Sequence, residues 1–250
     1  MDELNRVSQA APQSMGFRAA QPVSPKPKIL LIASLVQVRV DGLADYVAGA
    51  DAGLLHISEL SSGVKTLQKV CQIAPDIPWG GWLRDIGRGG IEQIVKVGCD
   101  FVIFPAADTS LAILQNDEVG KILEVEASLS EGLSRTIDEL PVDAVLIAGE
   151  EKEDYFLTWQ HLMLFWRFAN SLAKPLLVSV PSTVVASELQ VLWEAGVDGV
   201  VVEAGAGGLK ELRQAIDKLT FPPLRRRRKA EALLPYISAE PGVATETEEE

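Results

Sequence analysis

The chain has 250 residues, of which 47% are hydrophobic and 23% are charged. This composition is that of an ordinary globular protein, so it excludes a globally disordered chain and a collagen-like repeat. The formal net charge is −12, and such an acidic excess argues against nucleic acid as the main partner.

Cysteine content and hydropathy indicate the compartment. Cys71 and Cys99 are the two cysteines, too few for a disulfide framework. The first residues lack the apolar core of a secretory signal, and no apolar run reaches the roughly 18–20 residues that a spanning helix needs. We therefore expect a cytoplasmic protein without membrane association.

The two ends of the chain differ from its middle. Residues 1–27 are rich in Ala, Ser, Gln and Pro, which predicts a flexible arm. Residues 220–250 contain the basic run Arg225–Lys229 and an acidic end, which predicts a charged, largely disordered tail. The domain is thus expected over residues 28–219.

In this middle part, short β-branched runs alternate with stretches of helical period. The predicted strands cover residues 29–36, 52–58, 78–84, 99–106, 121–128, 143–150, 175–181 and 197–205. The predicted helices cover residues 41–49, 62–74, 88–97, 108–118, 130–139, 156–173, 183–195 and 207–219. Eight strand–helix units predict an α/β fold, a single (β/α)8 TIM barrel, with an open doubly wound sheet as the alternative.

Similar phrases open every second predicted strand and contain Asp51, Asp100, Asp143 and Asp198. A strand–helix doublet repeated four times closes a barrel naturally. Because these aspartates begin strands, on the face of the barrel opposite the usual active site, we interpret them as turn or helix-cap residues.

The active site of such a barrel lies at the carboxyl ends of the strands. Alternation predicts which polar side chains face inward there: Glu124, Glu126 and Ser128, Glu203 and Gly205, Glu150, His56 and Ser58, Trp82 and Arg84, and Ser179. Carboxylates gathered in a low-dielectric site favour a raised pKa in at least one of them, as acid–base catalysis requires.

Each candidate also has a structural interpretation. Arg84 is either an anion ligand or the ion-pair partner of Asp85 or Glu124, and His56 is either a catalyst or a core histidine. The glycines of the third predicted strand, Gly80 and Gly81, leave room for neighbouring Trp rings or for a ligand.

The last predicted strand leads into Gly205, Gly207 and Gly208 at the start of a helix, beside Ser179 and Ser182. Backbone amides at such a helix start favour an anion. The segment 195–208 resembles the phosphate-binding (β/α)8 superfamily, which includes flavin-linked oxidoreductases and lyases and isomerases of phosphorylated substrates. The resemblance implies a phosphate site here, although the acidic Glu203 departs from the pattern.

These residues lead to two hypotheses. The first is an enzyme that acts on a small anionic metabolite by carboxylate acid–base chemistry of lyase or isomerase type, with Glu126, Glu203, Glu124 and His56 as catalytic candidates; an FMN-dependent oxidoreductase is its alternative. The second is a non-catalytic barrel that serves binding or assembly. No metal is required, although carboxylates could hold Mg²⁺.

The predicted helix 156–173 is too aromatic to bury a single face. Trp159, Leu162, Phe165, Trp166 and Phe168 cannot all contact the barrel. Exposed aromatic residues at helical spacing predict an interface, most simply that of a homodimer. The alternative is that the N-terminal arm or the apolar patch Leu233–Ile237 covers them.

Overall fold

The computed structural model describes residues 28–36, 42–83, 90–149, 155–205 and 208–220. Eight parallel strands pair in chain order, and β8 pairs with β1 to close the barrel. The strands are β1 (Leu30–Leu35), β2 (Ala52–Ile57), β3 (Trp79–Leu83), β4 (Phe101–Pro105), β5 (Gly120–Val125), β6 (Ala144–Ile147), β7 (Leu176–Val180) and β8 (Gly199–Glu203). The predicted (β/α)8 barrel is therefore confirmed, and the open sheet is excluded.

The connections place helices outside the barrel. They are α1 (Leu43–Tyr46), α2 (Leu60–Ile73), α3 (Gly90–Lys96), α4 (Glu131–Thr136), α5 (Trp159–Ser171), α6 (Ala186–Glu194) and α7 (Gly208–Asp217). In the parts of the chain that the structure describes, no helix is long and apolar enough to cross a bilayer.

Two predicted helices differ from the structure. The helix expected over residues 108–118 is a 3₁₀ helix, Leu111–Gln115, in which Ile113 is buried and Leu111 and Leu114 are exposed. A segment that buries so little apolar surface has little to stabilise a full α-helix. The helix expected over residues 41–49 is reduced to α1, which follows Gly42 at φ 88°.

Side chains of the strands alternate between two apolar layers. One layer fills the barrel and consists of Leu30, Ile32, Ala52, Leu54, Trp82, Phe101, Ile103, Ile122, Ala144, Leu146, Leu177 and Val201. The other lies between strands and helices and includes Leu31 and Val200 from the strands and Phe168 and Leu189 from the helices. This alternation determines which polar residues face the barrel axis.

The four repeated aspartates, which we call the basal aspartates, join neighbouring strands. The carboxylate of Asp51 accepts a hydrogen bond from the backbone N–H of Leu31 at 2.8 Å, and the backbone N–H of Asp51 donates to the Leu31 carbonyl at 2.8 Å. The same paired bonds join Asp100 to Trp79, Asp143 to Lys121 and Asp198 to Leu176. The repeat is thus confirmed, but the expected role as turn or helix cap is wrong.

The strand glycines make room for rings of the core. A Cβ atom on Gly80 would lie 2.2 Å from the ring of Phe101, and one on Gly53 would lie 2.4 Å from the ring of Trp79. A Cβ on Gly81 would lie 3.0 Å from Ile57. The expectation of Trp rings beside Gly80 and Gly81 is wrong, because Phe101 occupies the space beside Gly80 and Ile57 the space beside Gly81.

Candidate active site

The carboxyl ends of the strands bring several predicted polar residues together. Continuing the alternation of the barrel-filling layer, His56, Glu124, Ser179 and Glu203 all point toward the barrel axis. Ser34 of β1 takes an inward position by the same alternation. We call the space that these residues surround the barrel mouth.

Ser34 and His56 form a polar contact at the mouth. The Oγ of Ser34 lies 2.8 Å from Nε2 of His56, which is hydrogen-bond distance. Ser34 is buried, whereas His56 is partly accessible. This contact restrains the imidazole ring. The hydroxyl can donate to Nε2 or accept from it, so the bond is compatible with either tautomer of His56.

Trp82 connects His56 to Glu124. The centroids of the Trp82 and His56 rings are 4.6 Å apart at an interplanar angle of 44°. The indole N–H of Trp82 donates a hydrogen bond of 2.6 Å to Oε2 of Glu124. The half-buried carboxylate is therefore held in one orientation with an N–H on one oxygen, as is useful for a group that moves a proton.

Glu126 and Glu203 do not share this enclosure. The structure ends β5 at Val125, so Glu126 lies in the following turn, where it is exposed and accepts a hydrogen bond from the hydroxyl of Ser128 at 2.9 Å. Glu203, the last residue of β8, is exposed as well. The expected low-dielectric environment is therefore wrong for both carboxylates, and the expectation that Ser128 faces the barrel interior is also wrong.

The glycines near α7 leave open space. Among the described residues, and apart from chain neighbours, no atom lies within 4 Å of where a Cβ on Gly205 or Gly208 would be. Gly208 is the first residue of the ten-residue helix α7. The first backbone N–H groups of a helix have no acceptor within the helix, so they are available to bind an anion. Ser182 lies exposed in the turn after β7. Arg84, Glu150 and Gly207, which we also expected at this site, lie outside the described residues.

A second concavity adjoins the mouth, and the sequence analysis did not predict it. This lateral cavity has a volume of about 370 Å³ and lies at the carboxyl ends of β5 and β6 beside the start of α5. It is lined by Ala127, Ser128, Ile147, Ala148, Gly149, Tyr155, Gln160, His161, Leu164 and Phe165. The sequence signal for this cavity is the spacing Thr158-x-x-His161, which is the spacing of a helix capping box at the start of α5.

Metal ligation has no clear location in the described part of the chain. Among these residues, no three His, Cys, Asp or Glu side chains are close enough to hold a metal ion together. The arrangement that the structure does show is a set of hydrogen-bonded acid, imidazole and hydroxyl groups around a mouth.

Comparisons with known proteins agree with the geometry at the level of fold. No protein-family model matches the chain, and no curated protein sequence matches it. The barrel is similar to 3-keto-L-gulonate-6-phosphate decarboxylase from Vibrio cholerae O1 biovar El Tor, with a TM-score of 0.62 and 14% identity over 78% of this chain and 99% of that one. It is equally similar to 3-hexulose-6-phosphate synthase from Salmonella typhimurium, with a TM-score of 0.62 and 12% identity over 77% of this chain and 100% of that one.

A third similar structure is a mutant tryptophan synthase α-subunit from Pyrococcus furiosus, with a TM-score of 0.56 and 13% identity over 76% of this chain and 97% of that one. The chain folds as these barrels fold. The resemblance to phosphate-binding (β/α)8 barrels is thus confirmed for the architecture, and at these identities the likeness concerns the fold alone.

Proposed function

We propose that this barrel is an enzyme of lyase or isomerase type that moves a proton on a small phosphorylated metabolite. The observation that carries the proposal is the polar chain from Ser34 through His56 and Trp82 to Glu124 at the carboxyl ends of four strands. Polar groups that are half-buried and mutually oriented at this end of a (β/α)8 barrel are typical of a catalytic site.

Glu124 is the proposed acid–base group. Its Oε2 accepts a hydrogen bond from the indole N–H of Trp82, which orients the carboxylate. His56, on the other side of the Trp82 ring, is the proposed partner that polarises or reprotonates the substrate. Glu203 lies at the rim and Glu126 beyond it, so we assign the proton transfer to the deeper carboxylate.

The open backbone around Gly205 and Gly208 is the proposed anion site. In the described part of the chain, no residue other than a chain neighbour crowds either glycine, and the helix that begins at Gly208 adds a partial positive charge. Two of the similar barrels are named for 6-phosphate compounds, which supports a phosphate as the anion. Ser179 and Ser182 lie on the neighbouring strand and turn.

Hydrogen exchange tests this proposal. In D₂O, the wild-type protein is expected to incorporate deuterium beside the carbonyl of D-ribulose 5-phosphate or D-fructose 6-phosphate, monitored by ¹H NMR. Glu124→Gln removes the titratable oxygen and is expected to slow the exchange by at least about 100-fold.

Glu126→Gln is the matched control, because it makes the same chemical change two residues farther along the chain, at an exposed position in the turn after β5. It is expected to leave the exchange rate within about twofold. The proposal is contradicted if neither ketose phosphate incorporates deuterium, or if Glu124→Gln and Glu126→Gln slow the exchange equally.

We also propose that two chains associate through the outer face of α5. Trp159, Met163 and Trp166 follow one another at helical spacing and are 81%, 72% and 41% exposed, while Phe165 and Phe168 on the opposite face are buried. Phe156, which precedes the helix, extends the apolar surface. Trp, Phe and Met are enriched in the centres of protein interfaces, and one such patch on each chain suits a two-fold dimer.

A further inference from the structure

The lateral cavity adjoins the barrel mouth. Ala148 packs against the barrel-filling layer and also lines the cavity. A Cβ atom on Gly149 would lie 3.3 Å from both Ser179 and the ring of Tyr155, so Gly149 separates a mouth residue from a cavity residue by little more than its own backbone. The mouth and the cavity are therefore neighbours at the carboxyl end of β6.

The proton of the His161 ring has a defined position. The backbone N–H of Thr158 donates a hydrogen bond of 3.1 Å to Nδ1 of His161. A backbone amide only donates, so Nδ1 carries no proton in this arrangement. The neutral imidazole then carries its proton on Nε2, which makes Nε2 a hydrogen-bond donor.

The ring itself is held on two further sides. Tyr155 meets it edge to face, with centroids 5.4 Å apart and an interplanar angle of 65°. Phe165, one turn later in α5, stacks on it at 6.3 Å and 17°. Together with the bond from Thr158, these contacts fix the direction of the Nε2–H before any ligand arrives, which lowers the entropic cost of binding.

The chemistry of the cavity wall selects the kind of group that fits. The lining residues combine uncharged polar side chains, Gln160, Tyr155 and Ser128, with the apolar Leu164 and Phe165. The described side chains of this wall suit uncharged carbon bearing hydroxyl or carbonyl oxygens, and none of them carries a fixed charge.

We propose that the lateral cavity binds the uncharged, oxygen-bearing carbon chain of the substrate, and that the Nε2–H of His161 donates a hydrogen bond to one of its oxygens. This inference rests on the proposed function, in which the glycines before α7 hold the phosphate. β6 and β8 are two strand spacings apart, about 10 Å, a gap that an extended sugar phosphate can span.

NMR of the imidazole nitrogens tests the inference directly, since the chain has two histidines and the long-range ¹H–¹⁵N spectrum is simple. The free protein is expected to show His161 protonated at Nε2 alone. D-ribulose 5-phosphate is expected to shift both the His161 Nε2 signal and the backbone amides of Gly205 and Gly208. Inorganic phosphate is expected to shift only the glycine amides.

Two substitutions separate the donor from the helix cap. Glutamate and glutamine at this third helical position both accept a hydrogen bond from the Thr158 N–H, so His161→Glu and His161→Gln should both keep the N-terminal cap of α5. Glutamine keeps an N–H₂ donor, whereas glutamate has none. H161E is expected to weaken D-ribulose 5-phosphate binding at least tenfold, H161Q less than threefold, and neither should change the affinity for inorganic phosphate.

The outcomes distinguish the two proposals. Shifts at Gly205 and Gly208 without a shift at His161 overturn the inference and leave the proposed function standing. Equal affinities of H161E and H161Q for D-ribulose 5-phosphate overturn it as well. If no phosphate compound shifts the glycine amides, it is the proposed phosphate site that fails.

Discussion

Trp82 shows how one residue can serve both packing and chemistry. Its ring belongs to the apolar layer that fills the barrel, and its indole N–H donates a hydrogen bond to the carboxylate of Glu124. A buried indole normally finds a hydrogen-bond acceptor, and here the acceptor is the group to which we assign proton transfer. The orientation of Glu124 therefore depends on the packing of the core.

The raised pKa values of the two thiols, Cys71 and Cys99, lead to a prediction of how stability depends on pH. Burial raises the pKa of Cys99 to about 12 and that of the half-buried Cys71 to about 11, from an ordinary value of 9.0. The folded chain thus holds these protons more tightly than the unfolded chain does. The resulting stabilisation is complete below pH 9 and is lost as the pH rises toward the folded pKa values.

We expect the difference in free energy of unfolding between the wild type and Cys99→Ala to shrink as the pH rises from 8 to 10.5, as measured by urea denaturation. Cys71→Ala, whose thiol is shifted less, should show a smaller change over the same range. A difference that stays constant with pH for Cys99→Ala would contradict this assignment.

Single residues were predictable where alternation is unambiguous. β5 alternates charged and apolar side chains, so the inward direction of Glu124 follows from the sequence. Ser34 lies in an almost uninterrupted apolar run, where alternation cannot assign a face. The aromatic pattern of α5 indicates only an interface, so it does not predict the proposed role of His161 as a hydrogen-bond donor to a ligand.

At the scale of elements, the basal aspartates explain how each doublet is held at its base. Each carboxylate accepts the backbone N–H of a residue on the preceding strand or at its start, at 2.7 or 2.8 Å. These N–H groups are partly buried and have limited access to water, so the carboxylate supplies the acceptor that they need. The glycines Gly49, Gly98 and Gly196, each two residues earlier, have φ between 93° and 95°, a conformation that favours glycine.

Asp100→Ala tests this role. The substitution leaves the N–H of Trp79 without its acceptor and is expected to lower the free energy of unfolding by about 1–3 kcal/mol in urea denaturation. Asp76→Ala, at an exposed turn position, is the matched control and should change it by less than about 0.5 kcal/mol. Equal effects of the two substitutions would refute the role of the carboxylate.

The order and type of most elements were predictable, because β-branched runs and helical periods alternate with little ambiguity. The segment 108–118 was not, since Leu111, Ile113 and Leu114 give a helical spacing whose residues are mostly exposed in the fold. The end of β5 was placed too late because the alternation of the sequence continues past Val125 into a turn. Periodicity reports a pattern of side chains, and it does not report where pairing between strands ends.

At the scale of the whole molecule, the exposed face of α5 predicts self-association. Met163→Glu places a charge in the centre of the proposed interface, where it would be desolvated without a partner. We expect the wild type to have twice the mass of one chain in sedimentation velocity at micromolar concentrations, and Met163→Glu to have the mass of a single chain.

Leu111→Glu is the control for this change, since Leu111 is 79% exposed and lies on the 3₁₀ helix between β4 and β5. It should sediment as the wild type does. A wild type that sediments as a single chain, or a dimer that Met163→Glu leaves intact, would exclude the outer face of α5 as the contact.

The basal aspartates also determine where the barrel can be divided. Asp51 also accepts a hydrogen bond from Arg213 of α7 at 2.8 Å. The paired bonds that each basal aspartate makes to the preceding strand join β1 to β2, β3 to β4, β5 to β6 or β7 to β8. A break in the chain between β4 and β5 keeps every such bond within one fragment, whereas a break between β3 and β4 parts Trp79 from Asp100. Co-expressed halves made by the first cut should reassemble into a barrel more readily than unequal fragments made by the second.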